Sequence, residues 1–299
     1  MSYASEQQPS VRSLGYIGVG VSSLDAWHAY VTGVLGFEWG PTLKDGSCLV
    51  RMDDHRQRLV LTPTGEDDIV FAGWEVRDAA ELREIEAHLS RQGVGVSRGG
   101  AALAAVRGVE ELLVLRDCDG LATEIYFGPQ IETRKPFMPS QPLAGFKTGE
   151  LGLGHIVLRV ADTSRSEAFY RDALGLRITD YINLELGPGF QTKAAFLRCN
   201  ARHHSLALVS APLPKRLLHF MAEVGQLDEV GLAIERAHEA KVRIAATLGR
   251  HTNDRMVSFY MESPSGFEVE YGCSGRLIDE SAWHLEVFDK AEIWGHRRV

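Results

Sequence analysis

Apolar positions along this chain follow two rhythms, and the points where one gives way to the other mark its elements. Leu14 to Val21 alternates loosely, as a half-buried strand does. Ser22 followed by Asp25 predicts a helix N-cap with an acid in the first turn, and that helix runs to about Val34, where Gly36 ends it. Runs rich in Leu and Val predict strands at Cys48 to Met52, Arg58 to Thr62 and Ile69 to Val76. From Ala79 to Gln92 the period lengthens to that of a helix, with Leu82, Ile85 and Leu89 on one face and Gly93 beyond its end. Strands at Glu111 to Leu115 and Thr123 to Tyr126 follow. Pro129 to Glu150 then loses periodicity and holds four of the 11 prolines, which predicts an extended connection.

After the connection the rhythm restarts. A strand from Leu153 carries His155, and Ser164 with Glu167 predicts a capping box for the next helix. Strands are expected at Ala194 to Arg198 and Ser205 to Val209. A fourth unit begins near Leu217, with a helix from Leu227 to Ala240 whose Leu227, Val230, Ile234 and Ala237 share a face. Strands at Met256 to Met261 and Phe267 to Tyr271 complete it, and Arg276 to Val299 has no readable period. Each unit is a strand, a helix and about three strands. The expected class is α+β, four βαβββ modules in two homologous halves: residues 1–130, a linker 131–150, and residues 151–299.

The repeat is legible residue by residue. Leu14, Gly15, Val21, Leu35 and Gly36 overlay Leu153, Gly154, Val160, Leu174 and Gly175 without a gap. The overlay sets Tyr16 against His155. Matching Trp74-Glu75-Val76 to Ala222-Glu223-Val224 sets Phe71 against His219, and matching Gly120 to Gly266 sets Glu124 against Glu270. The second half therefore has two imidazoles and a carboxylate where the first has Tyr, Phe and Glu. A lone strand histidine is more often structural than a ligand, but a carboxylate on an apolar strand needs a partner to be buried at all. Three such residues at matching positions predict a facial triad, His155, His219 and Glu270, of the kind that holds Fe(II) with open coordination positions. Eight of the 11 histidines lie beyond residue 150, which sets a site-bearing half beside a plainer scaffold.

Bulk properties add exclusions. A net charge of −8 with no long Lys/Arg run argues against a nucleic-acid surface, and no apolar run reaches membrane-spanning length. The N-terminus lacks the apolar core of a secretory signal, and Cys48, Cys118, Cys199 and Cys273 stand alone without CxxC spacing. The expectation is a cytoplasmic protein with reduced thiols.

GLGH at Gly152 to His155, NARHHSLAL at Asn200 to Leu208, PLPKRLLHFMAEV at Pro212 to Val224 and GRHTNDRMVSFYMESPSGFEVEYG at Gly249 to Gly272 resemble the type I extradiol catechol dioxygenases of the vicinal oxygen chelate superfamily. The likeness covers nearly the whole chain and is greatest to the 2,3-dihydroxybiphenyl 1,2-dioxygenases. It implies that His155, His219 and Glu270 hold iron(II), with manganese(II) also compatible, and that a catechol and O2 are the partners. It implies further that His204 faces the oxygen and then acts as acid or base, and that His251 and Tyr260 hydrogen-bond the catechol oxygens. Asn253 and Asp254 would shape the pocket and Phe196 its apolar wall. Without the resemblance, His251 reads equally as a strand-end cap and Tyr260 as a core tyrosine. His203 reads as a surface or structural neighbour, and His238, His284 and His296 as structural. The resemblance also implies a homo-oligomer, octamers being common. Two other readings share the fold: a glyoxalase-type metal lyase or isomerase, which calls for more carboxylate ligands, and a sequestering protein without a triad.

Overall fold

The computed structural model describes residues 8–185, 187 and 189–299. Its first half contains β1 (Ser13–Gly20), α1 (Leu24–Tyr30), β2 (Glu38–Thr42), β3 (Cys48–Arg51), β4 (Leu59–Thr62), β5 (Asp68–Glu75), α2 (Ala79–Arg91), β6 (Val96–Arg98), α3 (Gly100–Arg107), β7 (Glu111–Arg116) and β8 (Ala122–Phe127). The second contains β9 (His155–Arg159), α4 (Thr163–Leu174), β10 (Arg177–Glu185), β11 (Gln191–Arg198), β12 (Leu206–Val209), β13 (Leu217–Val224), α5 (Leu227–Glu239), β14 (Ile244–His251), β15 (Val257–Glu262), β16 (Glu268–Cys273), β17 (Glu286–Phe288) and β18 (Glu292–Trp294). Each half is two βαβββ modules joined edge to edge. The strand orders are β2-β3-β4-β1-β5-β8-β7-β6 and β17-β10-β11-β12-β9-β13-β16-β15-β14-β18.

The pairing registers reproduce the sequence repeat. Tyr16 opposes Gly73, and Gly73 opposes Glu124; His155 opposes Met221, and Met221 opposes Glu270. Period-2 alternation then places all of these side chains on one face of each sheet. The other faces and the helices between them share one apolar core that runs through both halves. In it Trp27 of α1 donates to Ser265 of the fourth module at 2.9 Å, and Tyr170 of α4 donates to Asp117 of the second at 2.8 Å.

Several local expectations are corrected. The first N-cap is Ser23, whose hydroxyl accepts from Ala26, because Ser22 instead donates its N–H to Asp67. The helix changes to a π-turn over Val31–Leu35, where β-branched residues and Gly33 favour an α-helix least. Asp162, not Ser164, caps α4, and the capping box occurs on α5, between Gln226 and Glu229. Leu227 is 53% exposed; the buried stripe of α5 is Glu229, Val230, Ala233 and Ala237. The unreadable tail supplies β17 and β18, which pair with β10 and β14 at opposite edges of the larger sheet. Only Asp289, Lys290 and Ala291 separate them, so the edges approach to within about 15 Å and the sheet is curled almost into a barrel.

Candidate metal centre

Residues from six elements converge on the concave face of the curled sheet. His155 opens β9 immediately after Gly154, whose φ is +145° and where a Cβ would lie 1.9 Å from the Met221 carbonyl. Only glycine lets β9 come this close to β13, and that approach brings the two imidazoles together. His155 Nε2 lies 3.3 Å from His219 Nε2 and 3.1 Å from Glu270 Oε2, and His219 Nε2 lies 3.4 Å from the same oxygen. Three donors each about 2.1 Å from one ion and at right angles around it lie about 3 Å apart, so this triangle fits a divalent metal. A second group, His155, His204 and Asp254, also comes together, but His204 Nδ1 stands 4.0 Å from Asp254 Oδ2, wider than the about 3 Å between adjacent ligands of one ion. Glu270 is 1% exposed, and a carboxylate buried this deeply calls for a cation.

The two oxygens of Glu270 have separate duties. Oε2 faces both imidazoles, while Oε1 accepts from Ser258 Oγ at 2.6 Å and lies 3.3 Å from His251 Nε2. Although burial raises it, hydrogen bonds from His155, His219 and His251 hold the Glu270 pKa well below the ordinary carboxylate value. Burial disfavours charge on His251, but Glu270 outweighs this and lifts it to about 9. His251 Nε2 also meets Tyr260 OH at 2.7 Å, and its Nδ1 meets Ala291 O of the tail at 3.1 Å. Burial, then the charge of Glu270, pushes the Tyr260 phenol well up.

His204 lies with its ring 4.0 Å from that of His155 and has the edge of Phe196 against it at 4.9 Å. Burial, reinforced by neighbouring imidazoles, drives its pKa well below the ordinary value. Burial, opposed by Glu270, also lowers that of His155. Phe196 belongs to an apolar wall with Leu184, Val157 and Leu218. Asn253 donates to Asp180 at 3.3 Å, and Asp254 accepts from the Met256 N–H; both are buried. Asp254 lines, with His155, His204 and Arg276, a cavity of ≈ 10 Å³, room for about one water. His219 and His251 keep 16% and 15% of their side chains accessible, so entry is on their side.

The surface alternative for His203 is overturned: it is 2% exposed and packs between Trp283 and Asp180. His296 is also buried, with Nε2 2.9 Å from Ser258 O and 3.1 Å from Ser258 Oγ. Ser258 and His296 were not predicted as site residues. The signal for Ser258 was its spacing of two from Tyr260 on one strand face, visible only once the strand had been placed.

A curled pair of βαβββ sheets with a His/His/Glu donor set defines the vicinal oxygen chelate class of enzyme. Family models agree: residues 152–271 match the Glyoxalase/Bleomycin resistance protein/Dioxygenase superfamily, and residues 14–64 match dihydroxybiphenyl dioxygenase BphC D1. The chain is 46% identical to biphenyl-2,3-diol 1,2-dioxygenase of Paraburkholderia xenovorans LB400, covering 97% of this chain and 96% of that protein. It is 41% identical to an iron-dependent extradiol dioxygenase of Rhodococcus jostii RHA1, covering 96% and 97%. A crystal structure of catechol 2,3-dioxygenase superposes with TM-score 0.92 at 36% identity, covering 97% and 96%. The chain belongs to the extradiol dioxygenases.

Proposed function

We propose that this enzyme opens the ring of a biaryl or bicyclic catechol such as 2,3-dihydroxybiphenyl beside its two hydroxyls, adding both atoms of O2, with iron(II) held by His155, His219 and Glu270. The observation that carries this reading is the donor triangle of 3.1–3.4 Å closed by those three side chains. Its support is the 46% identity to a biphenyl-2,3-diol dioxygenase over nearly the full length of both chains. Manganese(II) fits the same donors. Iron(II), when bound, would chelate the catechol and pass electrons between the ring and O2, a step the protein alone cannot catalyse.

The remaining chemistry belongs to the chain. His204, kept neutral by its burial beside other imidazoles, can accept a proton and later return it, which a permanently charged group could not. Tyr260 stays a phenol and lies 2.7 Å from His251 Nε2, so its hydroxyl, backed by that imidazole, is the donor placed for the catechol oxygens, and His251 reaches them by turning from Tyr260. Phe196 and its aliphatic neighbours face the ring's distal substituent, while Asn253 and Asp254 brace the floor. The four cysteines are free thiols, which supports a reducing, cytoplasmic setting. Exposed Leu285, Val287, Ile293 and Trp294 on the tail support assembly into a homo-oligomer.

Oxygen uptake by anaerobically purified, Fe(II)-loaded protein tests the reading. Stoichiometric uptake with 2,3-dihydroxybiphenyl and a yellow ring-opened product is expected. Uptake only with dihydroxynaphthalene, an alkylcatechol or a steroid catechol would move the substrate and keep the chemistry. No uptake with any of them by iron-loaded protein would refute it.

A further inference from the structure

The last eight residues invert the usual distribution of polarity. Ile293 and Trp294 are each 47% exposed and Val299 is 70% exposed, yet His296 between them is 8% exposed. An edge segment that turns its apolar side chains away from its own sheet and buries an imidazole is not built to extend this chain's core. The segment pairs along β14, with Trp294 opposite Arg250, Arg297 O accepting from Thr247 N, and Arg298 bridged to Ala246. At Gly295 and His296 the ladder is interrupted: φ is +77° and +46°, and the chain crosses β14 at Gly249. A Cβ on Gly249 would lie 2.4 Å from His296 N, and one on Gly295 would lie 2.2 Å from Leu248 O. This interruption turns one side chain through the sheet edge toward the concave face, the re-aiming that bulges commonly perform beside sites.

What His296 reaches is Ser258. A carbonyl oxygen can only accept, so the 2.9 Å contact with Ser258 O puts the proton on Nε2. The same N–H is 3.1 Å from Ser258 Oγ, and that hydroxyl donates to Glu270 Oε1 at 2.6 Å. The protons therefore all point one way, from the imidazole to the hydroxyl to the carboxylate. With one lone pair of Ser258 Oγ occupied, its hydroxyl has one good rotor position, and Oε1 is pinned while Oε2 stays turned to the two ligand imidazoles.

We propose that His296 is a positioning residue of the metal centre, acting through Ser258 to hold Glu270 as a one-oxygen ligand, so that the C-terminal segment completes the site. The assignment rests on the metal-centre reading above. Full-length wild type, H296L, H296Q, S258A and the S258A/H296L double variant are compared by competition for Fe(II) with a chromogenic ferrous chelator and by melting of the metal-free proteins.

H296L is expected to bind Fe(II) about 10- to 100-fold more weakly, the usual cost of losing an outer hydrogen-bond partner of a ligand. H296Q, whose amide can donate from the place of Nε2, should stay within about threefold of wild type on the same scale. S258A should lose as much as H296L, and adding H296L to S258A should lose nothing more. Unchanged iron affinity in folded H296L overturns the assignment, as do equal losses in H296L and H296Q or additive losses in the double variant. Should H296L not fold, wild-type affinity in S258A overturns it. Wild type that binds neither Fe(II) nor Mn(II) would instead overturn the metal centre itself.

Discussion

The two halves of this molecule answer the same geometric question with opposite chemistry. Tyr16, Phe71 and Glu124 occupy the strand positions of His155, His219 and Glu270, in the same registers. In the first half Glu124 takes a charged fork from Arg107 at 2.9–3.0 Å and a hydrogen bond from Tyr16 at 2.7 Å, and the guanidinium lies 3.8 Å from the centre of the Phe71 ring. A protein cation thus answers the buried carboxylate where the second half leaves room for an ion. The space is redistributed as well. Aromatic Tyr16, Phe71 and Tyr126 fill the concave face above Gly15, Gly18 and Gly73, any of which would clash with them if it bore a Cβ, and Leu103 and Ala104 of α3 plug the centre. The second half reverses this pattern, with Met221 opposite His155 where the first half has Gly73. A buried carboxylate is thus a feature of the fold, and what satisfies it decides whether a half is scaffold or site.

The contrast is broken most directly by neutralising each carboxylate. Glu270→Gln should cost at least about 100-fold in Fe(II) affinity, beyond what loss of an outer partner costs, and should abolish oxygen uptake. Glu124→Gln should leave iron content unchanged but lower unfolding free energy by about 3 kcal/mol, since Arg107 loses its buried partner. Iron analysis and urea titration of both variants check this, and iron loss in Glu124→Gln would sink it.

Removing the neutral imidazole comes next. His204→Ala should lower kcat by about 10²- to 10⁴-fold, the worth of a positioned acid–base group, while Fe(II) content stays at wild type. Steady-state oxygen uptake with parallel iron analysis decides it, and a kcat within threefold of wild type would count against the assigned role.

The histidines whose pKa is displaced, His155, His204, His251 and His296, all lie in the second half, and they shape the pH response of the metal-free protein around neutrality. His251 is raised to about 9 in the folded state, so its contribution is full below its unfolded value near 6.5 and fades as pH climbs through 9. His155 and His204 are lowered, so the unfolded chain binds their protons first and stability falls as pH drops below about 6.5. Melting temperature against pH should be highest near neutrality. His251→Gln should flatten only the alkaline limb, and an unchanged alkaline limb would contradict the assignment.

The smallest expected effect tests sameness rather than difference. Ser23 and Asp162 cap equivalent helices by accepting a backbone N–H, so Ser23→Ala and Asp162→Ala should each cost about 1 kcal/mol. Chemical denaturation measures both. Unequal costs would show that the two modules carry unequal shares of the stability.

Much of this was written in the sequence. The repeat fixed which residues are equivalent, because strand alternation and glycine-ended helices recur at constant spacing, and a register is carried by such spacing. That was enough to pair His155 with His219 and Glu270 across more than a hundred residues. Helix caps were missed by one or two residues, since adjacent Ser, Asp and Thr compete for the same N–H groups and packing selects among them. Three things were decided by the tertiary structure alone. Arg107 answers Glu124 only because α3 folds back over the sheet. His204 is pushed toward its neutral form and His251 toward its charged one by their surroundings, since burial and a neighbouring carboxylate act through space rather than along the chain. The tail, without period in the sequence, reaches Glu270 through His296 and Ser258 because the sheet curls until its two edges are spanned by three residues.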